Sequence, residues 1–201
     1  PINAIKGYKY ILNDNLTYQD KARDYIAKIR SSSDYLLSLI NNVLEMARIE
    51  SGKTELDESS ISLKSLDSVY WLFESQMKEK NIDFTWNVNV KHNNILCDVV
   101  KIKEILMNII NNAYKYSLPG DSVAVKIDEL PCDRDGYVRI RTVVSDTGIG
   151  MSEDFLEHIF EDFSREQTST ESGQFGTGLG MAIVKKIVDL MGGDIDVQSE
   201  P

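Results

Sequence analysis

Apolar residues Ile26, Ile29, Leu36, Leu37, Ile40, Val43, Leu44 and Ala47 recur at steps of three and four, as on one face of a helix. This pattern predicts a long helix over residues 18–50, which Ser51-Gly52 ends cleanly. A shorter, more mixed helix precedes it over residues 2–13, and Asn13, Asp14 and Asn15 read as the turn between the two. A helix hairpin of this size cannot bury such a stripe alone. Two solutions are open: a second copy pairs with it to give a four-helix bundle, or the stripe packs on the rest of its own chain.

From Ile61 onward the pattern becomes mixed. Residues 61–63 read as a short strand, 66–80 as a helix, 83–90 as an alternating strand and 99–116 as a strong helix. Strands follow over 122–130 and 137–145; the loop 131–136 between them suits a hairpin. A glycine- and serine-rich stretch then leads to a helix over 179–191, and a last strand begins near Asp194. Strands and helices that do not alternate strictly predict an α+β sandwich, with helices on one face of a mixed sheet.

Composition narrows the possibilities. The 201 residues, 42% of them hydrophobic, support one mid-sized domain plus an appendage. No apolar run reaches the ~18 residues of a membrane span. Two cysteines, Cys97 and Cys132, lie too far apart to suggest a disulfide framework or a zinc site, and fit a reducing cytoplasm. The net charge of −10 argues against a nucleic-acid partner. A domain this acidic that binds a polyphosphate must concentrate its few cations at the site.

Four segments carry candidate chemistry. In the helix over 99–116, Ile102, Ile105, Leu106, Ile109 and Ala113 form an apolar face, while Asn108, Asn112 and Lys115 share another. Asparagine is a mediocre helix former. Its amide oxygen is a hard ligand suited to Mg²⁺, and Lys115 one turn on is placed to meet a phosphate; a merely solvated polar face is the alternative. Next, the strand ending in Asp146 enters a turn whose Gly148 and Gly150 permit positive φ and close backbone approach. A carboxylate there can accept a hydrogen bond from an adenine amino group. Asp-Thr-Gly also occurs in ordinary turns and in aspartic proteases, but no second such loop is present. Third, Phe160 and Phe163 are suited to anchoring a loop by burying their rings, and Arg165 adds a cation before a Ser/Thr/Gly-rich run that reads as a lid. Last, Gly176, Gly178 and Gly180 precede an apolar helix, whose N-terminal N–H groups can face phosphate. Their spacing is neither a Rossmann fingerprint nor a Walker loop.

In this order the four segments resemble the N box, first glycine box, F box and second glycine box of sensor histidine kinases, within the histidine kinase/gyrase/chaperone ATPase superfamily. PINAIKGY and LLSLINNVLEMARIESGK resemble the dimerisation and phosphoacceptor hairpin of the same family. The resemblance implies a hairpin domain over residues 1–57 and a catalytic ATP-binding domain over 61–201. It implies ATP and Mg²⁺ as ligands, with Asn112 holding the metal, helped by Asn108. Asp146 matches the adenine-binding aspartate, and Tyr116 a residue lining the nucleotide pocket. Lys115, Arg165 and the loop Gly176, Thr177, Gly178, Leu179 and Gly180 match the groups around the phosphates, with Gly148, Gly150 and Phe163 in the neighbouring boxes. A homodimer, a response-regulator receiver domain as partner, and a cytoplasmic fragment of a parent anchored in the inner membrane are further implications.

The chain departs from the family in one respect. The phosphoacceptor histidine of the family precedes the proline matching Pro1 by a few residues, and no histidine of this chain matches it: His92 falls in a polar loop and His158 beside the F box, both read as surface residues. The acceptor is expected upstream, and a final strand downstream of Pro201. Two rivals remain open. An ATP hydrolase of the superfamily carries a glutamate base where Asn108 stands, and a neutral amide cannot take that proton. A nucleotide-binding dimeric scaffold would perform no chemistry.

Overall fold

The computed structural model describes residues 2–14, 19–52, 54–166 and 177–201, without the side chains of residues 10–14 and 19–22. Asn15, Gly176 and most of the expected lid lie outside the described residues. Helices α1 (Ile2–Asp14) and α2 (Gln19–Glu50) form the expected hairpin. Tyr8 and Tyr25 stack across it with ring centroids 6.2 Å apart, and the Lys28 ammonium lies 5.9 Å from each ring.

The second part holds β1 (Ser59–Ser62), a 3₁₀ turn (Leu63–Leu66), α3 (Asp67–Glu79), β2 (Asp83–Asn89), β3 (Asn94–Cys97) and α4 (Val99–Tyr116). After these come β4 (Ser122–Leu130), β5 (Arg139–Asp146), a short α5 (Glu153–Leu156) and α6 (Gly180–Leu190). Strand β2 runs parallel to β4, and β4 antiparallel to β5. The sheet is therefore mixed, as expected, and β1 and β3 pair antiparallel in a small second sheet. Alternation on β4 turns Val123, Val125 and Ile127 inward against Leu106, Ile110 and Ala113 of α4 and Phe73 and Met77 of α3.

Two expectations need correction. Residues 194–201 form no strand: β5 pairs only with β4 among the described residues, and this segment instead meets the turn after β5, where Met151 N donates to Ser199 Oγ at 3.0 Å. Ile110, not Ile109, joins Leu106 and Ala113 on the face of α4 buried against the sheet and α3.

Local contacts fix the helix that carries the asparagines. At its start the buried Asp98 carboxylate accepts hydrogen bonds from Val100 N and Lys101 N, both at 3.0 Å, and from Asp57 N at 3.0 Å. At its end the Lys80 ammonium donates to the Tyr114 carbonyl at 2.7 Å, a cation placed where the helix dipole is negative. No described helix is long and apolar enough to cross a membrane.

The β2–β3 connection is tied down by Glu129, whose carboxylate accepts from Lys91 N and His92 N, each at 2.8 Å, and meets the His92 ring at 2.8 Å. The His92 backbone and ring, with Lys91 N–H, hold the Glu129 carboxyl below its ordinary value. A depressed carboxylate contributes stability above its unfolded pKa and loses it as pH falls through the folded one. Melting temperature is therefore expected to fall more steeply below about pH 4.5 in the parent than in Glu129→Gln, which lacks this titration. Parallel profiles for the two proteins would contradict the assignment.

Candidate functional site

The second half of α4 presents Asn108, Asn112 and Lys115 along one face, all partly buried. Asn108 Nδ2 donates to the Glu104 carbonyl one turn back at 3.0 Å, which leaves Oδ1 as the outward atom. That oxygen lies 3.1 Å from where a Cβ on Gly180 would sit, so the N box meets the second glycine box directly. The Asn112 amide has no hydrogen-bond partner among the described residues. Half-buried amide oxygens without a protein donor suit Mg²⁺, which takes a few hard protein ligands and fills its sphere with waters and phosphate oxygens. Among the described residues no cluster of His, Cys, Asp and Glu offers an alternative metal site. Lys115 Nζ donates to Tyr116 Oη at 3.0 Å and lies 4.6 Å from that ring's centroid. A partly solvated cation–π contact of this kind is worth about 1 kcal/mol, less than a charge-assisted bond to phosphate.

Asp146 ends β5 in register with Val123. Its Oδ1 accepts from Gly148 N at 3.0 Å, which leaves Oδ2 for an incoming donor. Gly148 does not adopt positive φ; of the two glycines here only Gly150 does, at 65°. What Gly148 supplies is the missing side chain: a Cβ would sit 2.6 Å from the Tyr116 carbonyl oxygen and 2.9 Å from Asp146 Oδ1. Ile149 N then donates to Tyr116 O at 3.2 Å, so the aspartate turn is stitched to the end of the asparagine helix.

A third junction joins the F box to the second glycine box. Gly178 has φ +72°, and a Cβ there would come within 2.7 Å of the Phe163 backbone. Phe163 itself holds φ 63°, uncommon for a residue with a side chain. Its ring does not bury as expected: the residue is 61% exposed, because backbone rather than ring makes the contact. Arg165 is exposed beside it, in a cavity of about 710 Å³ lined also by Phe155, His158 and Glu161. His158 pairs with Glu161 at 2.9 Å, and this contact raises its pKa. Leu179 is only 1% exposed, and its N–H donates to Thr177 Oγ1 at 3.3 Å, so it packs the loop and offers neither group outward.

Sequence reasoning missed a contact between hairpin and site. Met46 of α2 is buried against Leu179, Ala182, Ile183 and Ile187. Lys101 of α4 bridges Glu45 of α2 and its own helix's Glu104, and Lys186 pairs with Glu50. Burial alone would lower the Lys101 pKa, but hydrogen bonds to both carboxylates outweigh it and hold the ammonium raised. Asn42 Nδ2 donates to Thr177 Oγ1 at 3.1 Å. The spacing Asn42, Glu45, Met46, Ile49 and Glu50 is a second helical stripe, legible beside the more apolar one.

A mixed sheet backed by helices, with asparagine amides, a strand-end aspartate and two glycine turns brought edge to edge, defines a nucleotide-binding sandwich. Residues 97–201 match the family described as histidine kinase-, DNA gyrase B- and HSP90-like ATPase, and residues 1–52 match the His kinase A phospho-acceptor domain. The chain belongs to this ATPase family, in its sensor histidine kinase branch. The autoinducer 2 sensor kinase/phosphatase LuxQ of Vibrio cholerae serotype O1 is 30% identical over the whole chain, which spans 23% of that protein. Full-length ShkA in complex with AMPPNP is 33% identical with a TM-score of 0.69, covering 89% of this chain and 37% of that one. ThkA in complex with the response regulator TrrA shares the fold at a TM-score of 0.70 and 24% identity, over 96% of this chain and 52% of that one.

Proposed function

We propose that this chain is the dimerising, ATP-binding core of a protein histidine kinase, transferring the γ-phosphoryl group to a histidine upstream of Pro1. The observation that carries the reading is the junction of boxes, with Asn108 Oδ1 facing Gly180 and Gly148 wedged between Tyr116 and Asp146. In this reading Asp146 accepts from the adenine amino group, and Tyr116 lines the base pocket. Lys115 leaves its tyrosine for the phosphates, while the loop around Thr177 and Gly178 and the Arg165 cation surround them. Asn112, helped by Asn108, would hold Mg²⁺, which when bound would supply positive charge against the phosphates. The imidazole nitrogen forms the new P–N bond as the bond from γ-phosphorus to the bridging oxygen of ADP breaks.

Transfer rather than hydrolysis is favoured by what stands at the start of the asparagine face of α4. Asn108 is neutral, and the Glu104 carboxylate one turn earlier is paired with Lys101 at 3.0 Å. The phosphoryl group then passes to an aspartate of a receiver domain, a partner consistent with the ThkA–TrrA assembly of the same fold. The longer natural chain, including the residues before Pro1, tests the proposal. Incubated with γ-labelled ATP it is expected to give an acid-labile, base-stable phosphoprotein, while residues 1–201 alone stay unlabelled. Binding of ATP without any labelling of the longer chain would leave only a scaffold.

Dimerisation belongs to the same proposal. Leu37 and Leu44 are 59% and 53% exposed on the face of α2 turned away from the catalytic domain, beside exposed Ile26 and Ile40. An apolar stripe of this length in water is an interface in search of its second half. Leu37→Glu with Leu44→Glu is expected to shift the light-scattering mass from dimer to monomer; an unchanged dimer would place the interface elsewhere.

A further inference from the structure

The contact between Asn42 and Thr177 joins residues 135 positions apart, one on the hairpin and one in the second glycine box. A threonine hydroxyl has one donor and two acceptor positions. Here both acceptor positions are taken, one by Asn42 Nδ2 at 3.1 Å and the other by Leu179 N at 3.3 Å. The O–H is thereby left as the only unsatisfied direction, and no described residue accepts it. A hydroxyl fixed as a donor, at the entrance to α6 beside Gly178 and Gly180, is matched to an anionic oxygen and mismatched to a cation.

We infer that Asn42 is a positioning residue of the nucleotide site: from the dimerisation helix it polarises Thr177 so that the hydroxyl donates to a phosphate oxygen of the bound nucleotide. This rests on the nucleotide reading above and extends it, since it makes phosphate recognition depend on docking of the hairpin. Three further contacts hold that docking. Met46 sits in the apolar cluster around Leu179 and Ile183, one turn from Asn42. On either side, Glu45 reaches Lys101 of the asparagine helix and Glu50 reaches Lys186 of α6. Helix α2 thus touches both walls of the pocket, and Asn42 is its point of contact with the phosphate-binding loop.

The test is calorimetric titration of residues 1–201 with Mg–ATP, Mg–ADP and adenosine. Asn42→Ala frees an acceptor position on Thr177 and lets its hydroxyl rotate, so affinity for both phosphorylated ligands is expected to fall about fivefold, the effect of one ordinary hydrogen bond. Asn42→Asp cannot donate; its carboxylate accepts the Thr177 proton and turns the hydroxyl away, so the loss is expected to be about tenfold or more. Adenosine, which has no phosphate, is expected to bind both variants as it binds the parent, a separation that a general loss of packing would not give. Thr177→Ser is expected to retain affinity. Thr177→Val is expected to lose it, with no further loss on adding Asn42→Ala. Parental Mg–ATP affinity in Asn42→Asp would overturn the inference, because Thr177 would then be donating to residue 42. Adenosine binding that falls in step with ATP would overturn it as well. Failure of the parent to bind any adenine ligand would instead remove the nucleotide reading beneath it.

Discussion

Asn112→Ala is expected to bind Mg–ATP at least about tenfold more weakly than the parent, and to bind it equally well with and without Mg²⁺. The loss of metal dependence is the more telling half. The Asn112 amide has no protein partner among the described residues, so its removal breaks no internal hydrogen bond and leaves the helix intact. Its neighbours on the core side, Leu106, Ile110 and Ala113, are untouched and keep α4 on the sheet. A half-buried amide without a partner costs stability unless something else satisfies it. The variant is therefore expected to melt at or slightly above the parent temperature while losing the ligand. A drop in melting temperature of several degrees with unchanged Mg²⁺ dependence would show a structural asparagine instead.

Gly148→Ala is expected to have a comparable effect on binding by a different physical route. The new methyl would lie 2.6 Å from the Tyr116 carbonyl oxygen and 2.9 Å from Asp146 Oδ1. Neither can withdraw cheaply: the carbonyl accepts from Ile149 N, and the carboxylate from Gly148 N. Overpacking of this kind costs ~1–3 kcal/mol. The strain falls on the Asp146 turn, so nucleotide affinity is expected to drop more than about tenfold, with a measurable fall in melting temperature. Gly136→Ala serves as the control for a surface turn, because a Cβ there has nothing within 4 Å, although its φ of +78° still carries backbone strain. Adenosine titration and thermal melts distinguish the two outcomes, and parental affinity in Gly148→Ala would refute the close junction of the boxes.

What the sequence shows most clearly are elements with long periods and strong ends. Helix α4 and strand β4 occupy the residues that periodicity assigns, Val99–Tyr116 and Ser122–Leu130. Both have fully buried faces, so pattern and packing agree. Strand β3 escapes because its four residues alternate too briefly after a polar loop, and its partner β1 is no longer. Residues 194–201 alternate like a strand but join no ladder; pairing is a property of two segments, and the sequence shows one. Phe163 shows another limit. Aromatic composition predicts burial, whereas a positive φ set by contact with Gly178 decides the outcome.

The candidate site is legible in the sequence as a list of residues and illegible as a set of junctions. Asn108, Asn112, Asp146 and the glycines stand out because each is a poor choice for an ordinary helix or strand, and Lys115 because it shares the asparagine face. That Gly148 is required by the Tyr116 carbonyl rather than by φ depends on a tertiary approach across two elements. The role of Asn42 depends on one across two domains. Asparagine on a solvent-facing helix is unremarkable in sequence, and only its partner marks it.

The central claim is that the separate boxes form one Mg–ATP site in this chain. Its most direct measurement is calorimetric titration of residues 1–201 with ATP, once with Mg²⁺ and once with a chelator in its place. The account predicts saturable binding of one nucleotide per chain, with markedly lower affinity when the metal is withheld. Absence of saturable binding, or the same affinity with and without Mg²⁺, would contradict it.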